Sequence, residues 1–249
     1  MEALHRRGDE VTALVRSPAT AGHLTALSVR QIAGDLHSPQ ALTEAVAGQE
    51  TVFHVAGLVA ARNEAEFFRA NRDGTANLVA AVHRSGGSSR LILVSSMAAG
   101  GPAPKDRPLR GEEPARPVTH YGRSKLAAED VVRASGLAWS VVRPPVVYGP
   151  RDRELLRVFK LARLGVVPIF GDGTQQLSAV YAHDLAEALI AVAASGSATA
   201  KIYYACHPEV STSAELVHWV ARAVGAARPV RTISLPAWAT RAADRKSVV

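Results

Sequence analysis

Arg90-Leu91-Ile92-Leu93-Val94-Ser95-Ser96 is apolar at consecutive positions and then stops at two hydroxyls. A strand with one face in water alternates apolar and polar residues, whereas a run apolar on both faces suits a parallel sheet with both faces covered. Further short strands are read at Val11–Val15, Val29–Ala33, Thr51–Val55 and Ala138–Val142. Helical stretches lie between them: Ala19–Leu27, Ser38-Pro39 to Ala47, Glu64–Arg84 and Tyr121–Ala134. This alternation predicts an α/β fold, a Rossmann-like doubly wound parallel sheet. Ligands in such sheets sit at the carboxyl ends of the strands. Those ends carry Arg16, Asp35, Ala56-Gly57, Ser95-Ser96 and Arg143-Pro144-Pro145, so one crevice is expected to collect them.

Downstream of Ser96, Met97–Val118 is rich in Gly, Pro and charge and reads as a long loop, a kind that tends to be functional in a compact domain. It leads to Thr119-His120-Tyr121-Gly122-Arg123-Ser124-Lys125. On a helix Tyr121 and Lys125 stand at i and i+4 and share a face. A phenol titrates near ~10 and is a poor proton carrier at neutral pH. A neighbouring ammonium lowers that value, and a Ser hydroxyl brought close then holds a substrate oxygen while Tyr moves the proton. Taken alone, Tyr-x-x-x-Lys is a weak motif that a solvated helix face also produces.

Composition narrows the alternatives. A chain of 249 residues, 47% hydrophobic, suits one domain with a small appended lobe. The net charge of +7 invites a nucleic-acid reading. The basic residues are scattered, however, and no aromatics interleave them, so no nucleic-acid partner is expected. A single cysteine, Cys206, excludes an internal disulfide and fits a reducing compartment; in its apolar run it reads as core. No Cys/His grouping has metal-ligand spacing, and no apolar run is long enough for a bilayer. The expectation is a cytoplasmic protein with no metal and no membrane partner.

Beyond Pro145, Arg153–Leu164, Ala182–Ala194 and Ser213–Val224 read as helices. Val166–Phe170, Ser178–Tyr181, Lys201–Ala205 and Val230–Leu235 read as extended. At the other end, Met1–Gly8 reads as the last turns of a helix closing on Gly8. A nucleotide-binding sheet of this kind starts with a strand and a Gly-rich turn that holds the pyrophosphate. The chain as given opens inside the helix that would follow, so a truncated or misassigned start is expected, and with it weak cofactor binding. Asp244–Val249 breaks the pattern, and its back-translation can spell a common sequencing-adapter string, so a non-native tail is expected there.

With these residues on the page, the chain resembles the extended short-chain dehydrogenase/reductase family, the NAD(P)-dependent epimerase/dehydratase group, over roughly Met1–Pro236. The matching features begin with Ala33-Gly34-Asp35-Leu36, Val52-Phe53-His54-Val55-Ala56-Gly57 and Asn71-Arg72-Asp73-Gly74-Thr75-Ala76-Asn77. They continue with Val94-Ser95-Ser96, Tyr121-Gly122-Arg123-Ser124-Lys125, Arg143-Pro144-Pro145-Val146-Val147-Tyr148-Gly149-Pro150 and Val180-Tyr181-Ala182-His183-Asp184-Leu185-Ala186. They occur in the family's order.

The resemblance implies Tyr121 as general acid/base and Lys125 as the residue that binds the nicotinamide ribose and lowers the Tyr121 pKa. Ser96 would hold the substrate oxygen, with Ser95 as the alternative. Asp35 and Leu36 would contact the adenine, Ala56 and Gly57 would pass close to the cofactor, and Pro144 to Val147 would border the nicotinamide. Asn71, Thr75 and Asn77 would be buried supports. An acid at the end of the second strand selects NAD(H), whereas Arg suits a 2′-phosphate. Arg16 stands there, which favours NADP(H) over NAD(H).

Departures from the family narrow the substrate. Relatives acting on nucleotide sugars carry Asn at the Val146 position and Arg at the Leu177 position, and the dehydratases carry Asp-Glu where this chain has Met97-Ala98. The implied function is hydride transfer to or from a small-molecule ketone or alcohol, reductase-like or hydroxysteroid-dehydrogenase-like. The alternatives are a nucleotide-sugar epimerase/dehydratase and a non-catalytic NAD(P)-binding module. The implied organisation is a Rossmann core over 1–150, to which 178–205 return, and a substrate lobe from 151–177 and 206–243, with 244–249 as the tail. A homodimer is possible by family analogy.

Overall fold

The computed structural model describes residues 1–104, 107–225 and 231–235. The chain begins α1 (Glu2–Arg7), β1 (Thr12–Val15), α2 (Gly22–Thr25), β2 (Arg30–Ala33), α3 (Pro39–Val46) and β3 (Thr51–His54). It continues α4 (Glu64–Phe68), α5 (Gly74–Arg84), β4 (Arg90–Val94), α6 (Met97–Gly100), α7 (His120–Arg133) and β5 (Trp139–Arg143). Next come β6 (Val146–Tyr148), α8 (Arg153–Arg163), β7 (Val166–Phe170), β8 (Gln176–Leu177) and β9 (Ala179–Tyr181). The last elements are α9 (Ala182–Ala194), β10 (Lys201–Tyr204), β11 (Ser211–Thr212), α10 (Ser213–Ala223) and β12 (Arg231–Leu235). Two compact units result: Met1–Pro144 with His183–Ala205, and Pro145–Ala182 with the described residues from Cys206 onward.

In the first unit β3, β4, β5 and β10 form a parallel sheet in the order β10-β5-β4-β3, and β1 and β2 form a separate parallel pair. β4 is central and buried on both faces: Leu91, Ile92 and Leu93 have no exposed surface. Leu91 and Leu93 pack with Val141 of β5 against Leu42 and Val46 of α3, Leu78 and Val82 of α5, and Ala128 and Val132 of α7. β1 is likewise covered on two sides. Leu14 joins that core, while Ala13 and Val15 pack with Ala21, Leu24 and Val29. The doubly covered α/β architecture read from the sequence is therefore the one observed.

In the second unit β6 pairs β9, β7 pairs β12, both parallel, and β8 pairs β11 antiparallel. Its core joins Ala162 of α8, Val167 and Ile169 of β7, and Val217 and Val220 of α10. A capping box between Thr212 and Glu215 starts α10. The pairings of β6, β8 and β11 were not read from the sequence, because runs of two or three residues are too short to show a period.

Several elements differ from expectation. The expected helix Glu64–Arg84 is α4 and α5 joined by a π-helical turn, Arg69–Asp73. The expected helix Ala19–Leu27 is a 3₁₀ turn, Pro18–Thr20, followed by the single turn α2. The loop after Ser96 opens with the one-turn helix α6, capped by the Ser96 hydroxyl. Cys206 is exposed rather than in the core, because the chain has left β10 before reaching it. Residues 226–230, 236–243 and the expected tail 244–249 lie outside the described residues.

α6 and α7 cross at Gly122, where an added Cβ would lie 2.3 Å from the backbone oxygen of Ala98. Gly122→Ala is expected to destabilise the protein by about 1–3 kcal/mol, the range for overpacking. Gly196→Ala, which meets nothing within 4 Å, should leave the urea midpoint nearly unchanged and serves as the control.

Candidate active site

Tyr121, Lys125 and Glu129 follow one another at four-residue steps along α7 and form a stripe on that helix. Thr119 caps the helix by accepting from the Gly122 amide at 2.9 Å. The Tyr121 ring packs against Phe67 of α4, with centroids 5.9 Å apart. At its tip the phenol has the Ser96 hydroxyl as a neighbour. Burial pushes the phenol above its ordinary pKa, and that hydroxyl opposes the rise.

Lys125 is buried, and its ammonium donates to the Val94 carbonyl at 2.8 Å. Burial lowers its pKa to about 8, against the raising effect of the Glu129 carboxylate. The ammonium was expected to pull Tyr121 downward. Tyr121 instead goes up, because desolvation dominates and Lys125, turned toward Val94, is not among the groups acting on it.

Ser95 and Ser96 part company. Successive side chains of an extended chain point to opposite sides. Ser96 faces Tyr121, while buried Ser95 donates to Glu129 Oε1 at 2.5 Å. Glu129 in turn receives Arg143 Nε at 2.9 Å and Nη2 at 2.7 Å, and Arg143 Nη1 reaches the Tyr204 hydroxyl at 2.9 Å. Of the two candidate serines, Ser96 therefore stands with Tyr121 and Lys125.

The other expected residues follow β1, β2, β3 and β5, except Val147, which lies on β6. Exposed Arg16 follows β1 and Asp35 follows β2, with the Gly34 amide donating to the Val15 carbonyl at 2.9 Å. The Asp35 carboxylate accepts from the His37 amide at 2.8 Å and the Ser38 hydroxyl at 3.0 Å. These bonds lower its pKa, with a smaller contribution from the charge of Arg16. Leu36 packs inward against the main core and under Gly74, and its carbonyl accepts from half-buried Asn77 at 2.9 Å. Its side chain thus supports the turn that presents Asp35. Pro144 is buried at the end of β5, where its carbonyl receives the Met97 amide at 2.9 Å. Val147 lies on β6 of the second unit, paired with Val180 and exposed.

Ala56 and Gly57 are exposed just beyond β3. A Cβ on Gly57 would lie 2.8 Å from Asn71 Oδ1 and 3.6 Å from Lys125 Nζ, so only glycine lets the backbone pass there. Asn71 sits in the π-helical turn. It accepts from the Leu58 amide at 2.8 Å and donates to the Leu58 carbonyl at 3.0 Å and to Ser124 Oγ at 2.8 Å. The Ser124 hydroxyl donates to the Tyr121 carbonyl at 2.8 Å. Thr75, fully buried, donates to the Asn71 carbonyl at 2.5 Å and bonds His54 Nε2 at 2.8 Å. Asn71 and Thr75 are thus the buried supports expected of them.

Sequence reading assigned no role to Glu129, His54 or Ser124. Glu129 carried a signal, because it lies four residues beyond Lys125 while Arg143 ends the next strand. A dinucleotide fits these residues. Gly57 leaves an open backbone edge beside a buried amine, Arg16 and Asp35 stand at the ends of the paired strands β1 and β2, and Ala56-Gly57 follow β3 of the other sheet. Among the described residues, no cluster of metal-ligating side chains occurs and no helix is long and apolar enough to cross a membrane.

A profile of the NAD dependent epimerase/dehydratase family matches residues 1–206. The chain belongs to that family, within the extended short-chain dehydrogenase/reductase group. It is 36% identical over 192 residues to a ceramide reductase of Caulobacter vibrioides, covering 77% of this chain and 55% of that one. It is 33% identical over 247 residues to a 2-alkyl-3-oxoalkanoate reductase of Stenotrophomonas maltophilia, covering 93% of this chain and 73% of that one. The match to the ceramide reductase thus spans just over half of that protein's length. Among solved structures, UDP-glucose 4-epimerase of Thermus thermophilus in complex with NAD superposes with a TM-score of 0.80 at 26% identity, covering 94% of this chain and 81% of that one.

The buried imidazole makes a testable statement about stability. Burial, and secondarily the charge of Lys125, push His54 down to about 3. The unfolded chain binds a proton near ~6.5, so between these values it holds a proton that the folded protein lacks. Stability from this group is therefore complete above the unfolded value and is lost as pH falls toward 3, by about 1.4 kcal/mol per pH unit. Urea unfolding of His54→Gln between pH 6 and 4 should show a shallower loss than the parent; equal slopes would remove His54 as a source of acid sensitivity.

Proposed function

We propose that this protein is an NADP(H)-dependent oxidoreductase acting on a ketone/alcohol pair, with Ser96, Tyr121 and Lys125 as its reaction centre. The placement of the Ser96 hydroxyl beside the Tyr121 phenol, one helical turn from the buried Lys125 amine, carries this reading. The bound nicotinamide supplies or accepts the hydride. In the reducing direction Ser96 donates to the carbonyl oxygen, and Tyr121 gives its proton to that oxygen as the carbon is reduced. At neutral pH the Tyr121 phenol, raised by burial, is protonated, the form that donates in the reducing direction.

Lys125, beside the open edge at Gly57, is placed to bind the nicotinamide ribose. Asp35 and the Ala56-Gly57 backbone would hold the rest of the nucleotide. Arg16, exposed at the end of β1 with no acid in its place, supports NADP(H) over NAD(H) through its match to a 2′-phosphate. The substrate class follows from Val146 and Leu177, two apolar residues in positions where nucleotide-sugar enzymes use Asn and Arg, and from Met97-Ala98, which has no acid/base group. The names of the two reductases above agree with an alkyl-bearing carbonyl compound.

In the full-length protein Tyr121→Phe should lower kcat for ketone reduction by roughly 10²- to 10⁴-fold, the range for general acid/base groups, with the fold intact. Retained turnover would end this mechanism, and interconversion of UDP-glucose without ketone turnover would establish the epimerase reading instead. Arg16→Ala should raise KM for NADPH about tenfold or more, the scale of a lost charged hydrogen bond, while leaving KM for NADH unchanged. Equal effects on both cofactors would remove the NADP(H) assignment.

A further inference from the structure

Glu129 is a carboxylate without exposed surface that no part of the proposed reaction uses. It lies one turn beyond Lys125 on α7, and its bonds go to the ends of two strands. Ser95 at the end of β4 donates to Oε1 at 2.5 Å, and Arg143 at the end of β5 spans Oε1 and Oε2 at 2.9 and 2.7 Å. Arg143, 2% exposed, passes the link to Tyr204 at the end of β10. The Tyr204 hydroxyl closes against Gly100, where an added Cβ would lie 2.1 Å from it, so α6 is included in the same knot.

We infer that Glu129 is a positioning residue for the reaction centre: by holding Ser95 and Arg143 it fixes the end of β4, and so keeps the next residue, Ser96, beside Tyr121. This inference rests on the proposed function of Ser96 and Tyr121. The physical reason is the two-residue period of an extended chain. Ser95 and Ser96 share a backbone, so anchoring one to Glu129 sets the direction of the other. Ser95 is itself tied to β5 through its amide, which donates to the Val142 carbonyl at 2.7 Å. A shift of the Ser95–Ser96 backbone would require these bonds to break together.

Glu129 has a second effect on the same site. The charged and titratable groups around Lys125 are Tyr121 and Glu129 on its own helix, His54 at the end of β3, and Arg143 on β5 behind Glu129. Glu129 supplies the negative charge that raises Lys125 against burial. With Glu129 neutral, Arg143 would remain as an uncompensated cation two bonds of the network away. Lys125 would then release its proton at lower pH.

The test is Glu129→Gln in the full-length protein, alongside the double variant Glu129→Gln/Arg143→Met, which removes both charges and leaves no buried cation unpaired. Both are assayed for kcat and KM of ketone reduction with NADPH from pH 6 to 10, with circular dichroism as the check on folding. For Glu129→Gln, kcat should fall roughly 10- to 100-fold, as expected for small misplacement of a reacting group. KM for the ketone should change little, and the alkaline limb of the kcat profile should move down by about one pH unit. The double variant should recover thermal stability without recovering kcat. Wild-type kcat and pH profile in either folded variant would overturn the inference and reduce Glu129 to a structural residue. If Glu129→Gln fails to fold, the double variant decides alone. Full activity in Tyr121→Phe would instead take down the proposed function itself, and the Glu129 inference with it, so the two failures are distinguishable.

Discussion

The paired charges of Glu129 and Arg143 are out of reach of water, and the carboxyl end of the sheet is arranged around them. An isolated buried charge is costly, so each must find its partners inside the protein. Glu129 does so with Ser95 and a two-point contact from Arg143, and Arg143 adds the Tyr204 hydroxyl. Removing one member of such a pair costs roughly 3–5 kcal/mol, yet replacing the whole pair with apolar residues is often neutral. Stability alone therefore does not explain an ion pair here. Direction does. Apolar packing would hold the ends of β4 and β5 together without determining which way each serine turns.

A second polar knot lies on the other side of Lys125. Asn71 reaches both backbone groups of Leu58 and the Ser124 hydroxyl, while Thr75 links the Asn71 carbonyl to His54. The π-helical turn at Arg69–Asp73 makes this possible. Asn71 lies in that turn, and Thr75 donates to its carbonyl from one turn further on. The Leu58 loop is thereby fixed, and Gly57 lies close to both the Asn71 amide and the Lys125 amine. The site is thus held from below by a charged network and from one side by a neutral one.

How much of this was legible in the sequence depended on the range of the interaction. The strands showed themselves because β4 is apolar on both faces, and the strand ends followed from where the apolar runs stop. Tyr121 and Lys125 were readable from their helical spacing. Local turn chemistry was readable too, as at Ser38-Pro39 before α3. The π-helical turn was not, because Arg69-Ala70-Asn71-Arg72-Asp73 fits an ordinary helix by propensity and changes only when Asn71 meets Leu58 and Ser124 in three dimensions. The choice between Ser95 and Ser96 also waited for the fold, since it depends on which side of β4 faces Glu129. The direction of the Tyr121 shift was misread for a similar reason. Spacing puts an ammonium on the same helix face, but not the Val94 carbonyl that turns the ammonium away.

That misreading points to the balance that governs the site. Burial opposes charge on every group: it pushes Tyr121 up, Lys125 down to about 8 and His54 down to about 3. Left to burial alone, the pocket would drift toward three neutral side chains. The Glu129 carboxylate acts against that drift on Lys125, and it does so from a position without solvent contact. A surface carboxylate at the same separation would be weakened by water and salt, which screen exposed charges over about 8–10 Å. Placing the compensating charge one helical turn inward, and tying it to Arg143, keeps its influence on Lys125 largely independent of ionic strength. The same burial that disfavours the lysine's charge thus preserves the field that supports it.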